Sequence, residues 1–282
     1  MKVFIIGIGL IGGSFAIDIK AAFNEAKIYG IDRSDENLEK ALELGLIDHK
    51  SSFDELDKAD VVIVAIPVDT TVEILPVILG SIHDDCLVFD AGSTKGKLCD
   101  TISQHPKRRN YLAAHPIAGT EFSGPQAAIA NLYRGKTNII CEVEKTAFKL
   151  QERGMEIFSR LGMRIRYMDP SSHDKHIAYV SHLSHISSFM LGKTVIEKEK
   201  NERDIFDMAG SGFASTVRLA KSSPAMWTPI FKHNKDNVIE TLEEYIANLE
   251  QFKKLMKEDN FDEIYKEMED TNHIKAILKG IT

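Results

Sequence analysis

The stretch Lys2-Val3-Phe4-Ile5-Ile6-Gly7-Ile8-Gly9-Leu10-Ile11-Gly12 decides the fold, together with Asp32 twenty positions after Gly12. A short apolar run followed by glycines at this spacing predicts a strand, a tight turn and a helix that opens at once. Gly7 permits the turn, Gly9 lets the backbone approach a pyrophosphate, and Gly12 allows close helix–strand packing. The unpaired amides of the helix start, where Leu10 and Ile11 lie, then carry the pyrophosphate charge. Asp32 closes the next strand, Ile28–Ile31, where its carboxylate accepts from the adenine ribose hydroxyls and repels a 2′-phosphate. NAD is therefore the expected cofactor. Arg33, next to Asp32, is the one feature that favours NADP.

Outward from this motif, further β-branched runs occur at Lys27–Ile31, Val61–Ile66, Leu87–Asp90, Tyr111–Ala114, Thr137–Cys141 and Arg164–Met168. Amphipathic segments such as Glu36–Leu44, Thr71–Leu79 and Thr146–Leu161 lie between them. Apolar strands joined by helical crossovers predict a mostly parallel, doubly wound α/β sheet covered on both faces. After Asp169-Pro170 no strand-like run follows, so residues 1–168 are expected as a nucleotide-binding domain and 169–282 as an all-helical one. Ser171-Ser172 with Asp174 reads as the start of a helix running to about Lys200, and Gly210-Ser211-Gly212 breaks the next stretch. From about Asn234 to Lys257, Val238, Leu242, Tyr245, Leu249, Phe252 and Met256 alternate steps of four and three, a heptad seam. The seam suits packing within its own domain or against a second subunit, and its length favours a homodimer.

The 282 residues are 43% hydrophobic and 27% charged, the balance of a soluble protein with a sizeable core. A net charge of −7 argues against a nucleic-acid partner and requires local cations to capture an anionic substrate. Cys86, Cys99 and Cys141 have no metal-ligand spacing, so neither a metal nor a disulfide framework is expected and a reducing, cytoplasmic setting fits. The apolar run to Ile17 is interrupted by Gly7, Gly9, Gly12 and Gly13, and predicts neither a signal peptide nor a membrane span.

In an open parallel sheet, ligands bind beyond the carboxyl ends of the strands. Two such ends lead into Ala91-Gly92-Ser93-Thr94-Lys95 and His115-Pro116-Ile117-Ala118-Gly119-Thr120-Glu121. Ser93 and His115 are thus expected on the nicotinamide side. A neutral imidazole there suits removal of a hydroxyl proton during alcohol oxidation, although a loop histidine bonded to backbone fits the position equally. On the helix after Asp169, Asp174, Ser181, His185 and Ser188 fall in one stripe at 100° per residue, with His182 a little to one side. A polar stripe on an apolar helix points to a polar cleft. His182 and His185 lack the pattern and neighbours of a metal site. Arg218, in a nearly uncharged segment, is either a surface residue with a buried stem or a bidentate clamp for a carboxylate. Trp227 alone reads as core.

Together these motifs resemble the prephenate and arogenate dehydrogenase family nearly end to end. The resemblance is carried by GIGLIGGS at the start, DAGSTKG at 90–96, HPIAGTEFSG at 115–124, AYVSHLSH at 178–185 and GSGFASTVRLAKSSPAMW at 210–227. It implies a Rossmann domain followed by an all-helical dimerisation domain. It further implies that His115 is the catalytic histidine on the ring hydroxyl, and that Ser93 orients that histidine and the nicotinamide. By the same resemblance Thr120 and Glu121 line the pocket, His185 lies near the substrate side chain with His182 beside it, and Asp174 supports the cleft. Arg218 takes a substrate carboxylate and Trp227 lines the pocket. Phe122, where a lysine is common, and Ser211, where glycine is common, depart from the pattern and bear on substrate choice. The activity so implied is NAD-dependent oxidative decarboxylation of prephenate. Arogenate oxidation, another β-hydroxyacid-type dehydrogenation and a non-catalytic nucleotide sensor are the alternatives. A sensor has no need of His115, Arg218 or the polar stripe.

Overall fold

Strands form where the apolar runs predict them. A computed structural model describes residues 1–200, 202 and 204–279, and the chain divides into two compact units, Met1–Lys235 and a second from Asp236 onward. The first unit holds an eight-stranded sheet: β1 (Lys2–Ile6), β2 (Lys27–Ile31), β3 (His49–Lys50), β4 (Val61–Val64), β5 (Leu87–Asp90), β6 (Tyr111–Pro116), β7 (Thr137–Cys141) and β8 (Arg164–Met168). Their order is β3-β2-β1-β4-β5-β6-β7-β8. Every neighbouring pair is parallel except β6 and β7. A parallel neighbour needs a crossover that returns the chain to the same end of the sheet. Residues 117–136 carry only a short 3₁₀ turn, Pro125–Ala127, and lead directly into the antiparallel β7.

Alternation along each strand builds two core layers. On one face Val3 and Ile5 of β1 pack with Phe15 and Ile19 of α1 (Leu10–Ala22), Leu38 of α2 (Asp35–Glu43) and Ile157 of α5 (Phe148–Arg160). On the other, Phe4 and Ile6 pack with Leu75 and Leu79 of α3 (Val68–Ser81) and Leu98 of α4 (Gly96–Thr101). The turn after β1 accepts only glycine at two positions. Gly7 has φ of +92° and a Cβ there would lie 2.4 Å from Ala65 O, while a Cβ on Gly12 would lie 2.0 Å from Gly7 O.

Beyond β8 the first unit is helical: α6 (Pro170–Ile177), a π turn (Ala178–His182), α7 (Leu183–Glu199), α8 (Ser211–Thr216), a 3₁₀ turn (Arg218–Lys221) and α9 (Pro224–His233). The first of these starts earlier than the Ser171-Ser172 reading. Asp169 is its cap, accepting from Ser172 N at 2.9 Å, and Pro170 takes the first helical position, where a missing N–H costs nothing.

From Asp236 the second unit comprises the remainder of α10 (Lys235–Lys257), then α11 (Phe261–Thr271) and α12 (Ile274–Leu278). Asn260 caps α11 through Glu263 N. The heptad seam is helical throughout, and Leu249, Phe252 and Met256 are 52%, 40% and 47% exposed, an apolar row left open within this unit. No helix among the described residues is long and apolar enough to cross a membrane.

Candidate active site

The glycine turn, Asp32 and the 117–136 connection assemble one half of the site. Asp32 follows β2 and its carboxylate is tied down, accepting from Ile8 N at 3.0 Å and Ser34 N at 2.9 Å. Gly9 faces open space, since a Cβ there would meet nothing nearer than Gly124 N at 4.0 Å. The connection crosses α1, with Ile129 N donating to Ser14 Oγ at 3.0 Å and Asn131 N to Asp18 Oδ1 at 2.7 Å. An open glycine turn at a helix start with a fixed carboxylate beside it fits a dinucleotide.

The other half surrounds His115. Because β6 continues to Pro116, His115 sits inside the strand, opposite Ile139 of β7, rather than in the loop after it. It is buried, and its Nδ1 lies 2.8 Å from Nε2 of His173 on α6. His173 in turn meets Asp174 through Nδ1 at 2.8 Å. Asp174 accepts from the backbone amides of Lys95 at 2.7 Å and Gly96 at 2.8 Å, so it ties α6 to the turn that carries Ser93. Ser93 is half-buried in that turn. Burial, reinforced by His173, Lys95 and His182, holds the His115 imidazole well below the usual histidine range, so it is neutral at pH 7.

Behind the turn lies a buried polar group that sequence reasoning passed over. Lys95 and Asp90 are both fully buried and ion-paired. Asp90 also accepts from Tyr111 Oη at 2.7 Å, Ala114 N at 3.2 Å and Gly92 N at 2.8 Å. The motif DAGSTKG contained both residues, but a lysine in a glycine-rich turn ordinarily reads as exposed.

The π turn governs the remaining residues. A wider turn advances each residue by less than 100°, which rotates His182 back toward the side of Asp174. There Asn234 Nδ2 bridges them, 2.6 Å from Asp174 O and 3.2 Å from His182 Nδ1. Burial lowers the His182 pKa to about 4. Trp227, itself buried, stacks on His185 with ring centroids 3.5 Å apart and meets His182 edge-on at 5.8 Å. Burial also lowers the His185 pKa, with Arg218 nearby adding to the effect. Ser188 fixes the Arg218 turn against α7 by donating to Thr216 O at 3.0 Å and accepting from Ala220 N at 3.1 Å. Arg218 Nη1 reaches Glu121 Oε2 at 3.2 Å. Thr120 and Phe122 are exposed on the same loop as Glu121, and Ser211 is exposed at the start of α8. The sequence-predicted His115, Asp174, His182, Trp227 and His185 thus join one chain of contacts, linked by His173 and Asn234, which the sequence did not point to, with Arg218 and Glu121 beyond.

Comparison with known proteins places this arrangement. A sequence profile described as prephenate dehydrogenase, nucleotide-binding domain, matches residues 15–167, and one described as prephenate dehydrogenase, dimerization domain, matches residues 169–270. The chain belongs to the prephenate dehydrogenase family. It is 32% identical over 268 residues to the prephenate dehydrogenase of Bacillus subtilis, covering 94% of this chain and 72% of that one. Among solved structures it is similar to the prephenate dehydrogenase of Aquifex aeolicus in complex with hydroxyphenyl propionate and NAD+, with a TM-score of 0.91, 34% identity and 99% and 98% of the two chains covered. It is also similar to Synechocystis arogenate dehydrogenase, with a TM-score of 0.77, 25% identity and 98% and 99% covered. The family accounts for the mostly parallel sheet and the helical region after it.

Proposed function

We propose that the chain converts prephenate to 4-hydroxyphenylpyruvate and carbon dioxide with reduction of NAD, and that residues 1–168 bind the cofactor while residues 169–282 complete the substrate site and form a homodimer. The observation that carries this reading is a buried, neutral histidine at the carboxyl end of β6, backed by a second histidine and a carboxylate. In the turn that Gly7 and Gly12 make possible, Gly9 and the helix start at Leu10 and Ile11 would hold the pyrophosphate of NAD, and Asp32 its adenine ribose. When bound, NAD supplies the hydride acceptor for ring C4. His115 takes the hydroxyl proton as the ring carbonyl forms, the ring carboxylate leaves as carbon dioxide with aromatisation as the driving force, and the phenolate oxygen so formed takes a proton back to give the phenol. Ser93 lies on the nicotinamide side of this histidine. Arg218, set apart from the proton-transfer chain, binds a substrate carboxylate, and Glu121, Thr120, His182, His185 and Trp227 shape the pocket around it. The three cysteines accord with a reducing, cytoplasmic setting. All are buried and free, and burial pushes their thiols up, to about 12 at Cys86 and Cys141.

Arg218→Ala is expected to raise KM for prephenate roughly ten- to hundredfold, because a charge-assisted contact contributes about 1.5–3 kcal/mol. NAD affinity stays unchanged. Steady-state kinetics beside an NAD titration check this, and an unaltered KM in a folded variant removes the clamp role. For Asp32→Ala the preference for NAD over NADP is expected to narrow. A wild-type protein that uses both cofactors equally contradicts the role given to Asp32. Paired Leu242→Asp and Leu249→Asp changes place charges on the exposed seam and are expected to convert a dimer to monomer in sedimentation velocity. A monomeric wild type at micromolar concentration rules the homodimer out.

A further inference from the structure

We propose that His173 and Asp174 are a positioning pair that fixes the tautomer and ring plane of His115, leaving Nε2 as its proton-accepting nitrogen. This deepens, and rests on, the reading of His115 as the base. Lys95 N and Gly96 N can only donate, so Asp174 accepts at both oxygens, 2.7 Å and 2.8 Å from them. His173 Nδ1, 2.8 Å from the same Oδ1, must therefore donate as well. With His173 in the form that carries a single N–H, that hydrogen is on Nδ1 and Nε2 is an acceptor. The group facing that nitrogen at 2.8 Å is His115 Nδ1, which must supply the proton. His115 then holds its lone pair on Nε2.

The same logic links a carboxylate to a catalytic imidazole in the hydrolytic triads, where loss of the carboxylate leaves the wrong tautomer. Here a second imidazole is interposed. The two rings meet edge to face, with centroids 5.0 Å apart and planes 70° apart, which prevents the His115 ring from turning about its own axis without breaking the bond. Both histidines and Asp174 are buried, so water does not compete for these contacts. The charged and titratable groups that act on His115 are His173 from α6, itself bonded to Asp174, Lys95 from the turn after β5, itself paired with Asp90, and His182 from the π turn, while β7 places the apolar Ile139 opposite it. Asp174 is also the group that anchors the Lys95–Gly96 backbone, so one carboxylate sets both the base and the turn bearing Ser93.

The test compares His173→Phe, which keeps ring bulk but abolishes both bonds, with His173→Gln, which retains one donor and one acceptor. The phenylalanine variant is expected to lose about 10- to 100-fold in kcat, with KM for prephenate and NAD affinity within about twofold of wild type. The glutamine variant recovers most of the rate. Long-range ¹H–¹⁵N correlation spectra of histidine-labelled wild type are expected to show His115 protonated on Nδ1, and this preference is lost in the phenylalanine variant. A folded, NAD-binding phenylalanine variant with kcat within twofold of wild type overturns the proposal, as does a wild-type His115 protonated on Nε2. Should the phenylalanine variant fail to fold, the wild-type spectrum and the glutamine variant decide. His115→Asn separates the two readings. Normal turnover there removes the base itself, whereas an inactive asparagine variant beside a fully active phenylalanine variant removes only the positioning pair.

Discussion

Replacing His115 with Asn is expected to lower kcat by roughly 10²–10⁴-fold, the usual share of general-base catalysis, with NAD affinity unchanged. Asparagine keeps much of the size and some hydrogen bonding, but cannot take the hydroxyl proton. The pH profile sharpens the expectation. A base must be unprotonated, so wild-type turnover rises with pH through the titration of His115. Sequence alone places that limb near the ordinary histidine value of about 6.5. Burial comes first in moving it, followed by electrostatic interaction with His173, Lys95 and His182, and all act in the same direction, downward. The acid limb of kcat is therefore expected below 6.5, with full activity retained through neutral pH, and it vanishes in His115→Asn. A variant that keeps the same limb shows that the proton leaves by another route.

The second large effect concerns stability. Asp90→Asn removes the counter-charge of a fully buried Lys95 and weakens acceptance from Tyr111, Ala114 and Gly92. Breaking a buried pair from one side costs about 3–5 kcal/mol, because the remaining charge has no partner and no water. For a unit of this size the fall in Tm is on the order of 10 °C. Adding Lys95→Met removes the stranded ammonium and is expected to recover part of the loss, since the two residues are directly coupled. Thermal unfolding of the single and double variants measures this. Equal Tm values for wild type and Asp90→Asn contradict the assignment of a stabilising buried pair.

The same two regions show what was legible in the sequence. The first strand, the glycine turn and Asp32 announce their roles because each rests on a local constraint, a turn that excludes side chains or an acid at a strand end. The core strands followed from apolar runs, but their direction did not. A strand buried on both faces reads alike whichever way it runs, and so the antiparallel β7 was not foreseen. The two-residue β3 is polar and exposed, with no hydrophobic pattern to mark it. The polar stripe after Asp169 was read at a constant 100° per residue, which misses the π turn that swings His182 toward Asp174. His173 was overlooked for a different reason. Its partner is 58 positions away on another element, and no spacing rule links a strand histidine to a helix histidine. Asp90 and Lys95 lay within a quoted motif, yet only the fold reveals that both are buried.

The central claim is that this chain oxidises and decarboxylates prephenate with NAD through His115, and it is tested most directly by following NADH absorbance with prephenate as sole substrate. Wild-type protein is expected to produce one 4-hydroxyphenylpyruvate per NADH, and the His115→Asn protein to bind NAD normally yet form NADH at least about a hundredfold more slowly. A folded wild-type protein that binds NAD but forms no NADH from prephenate contradicts the account.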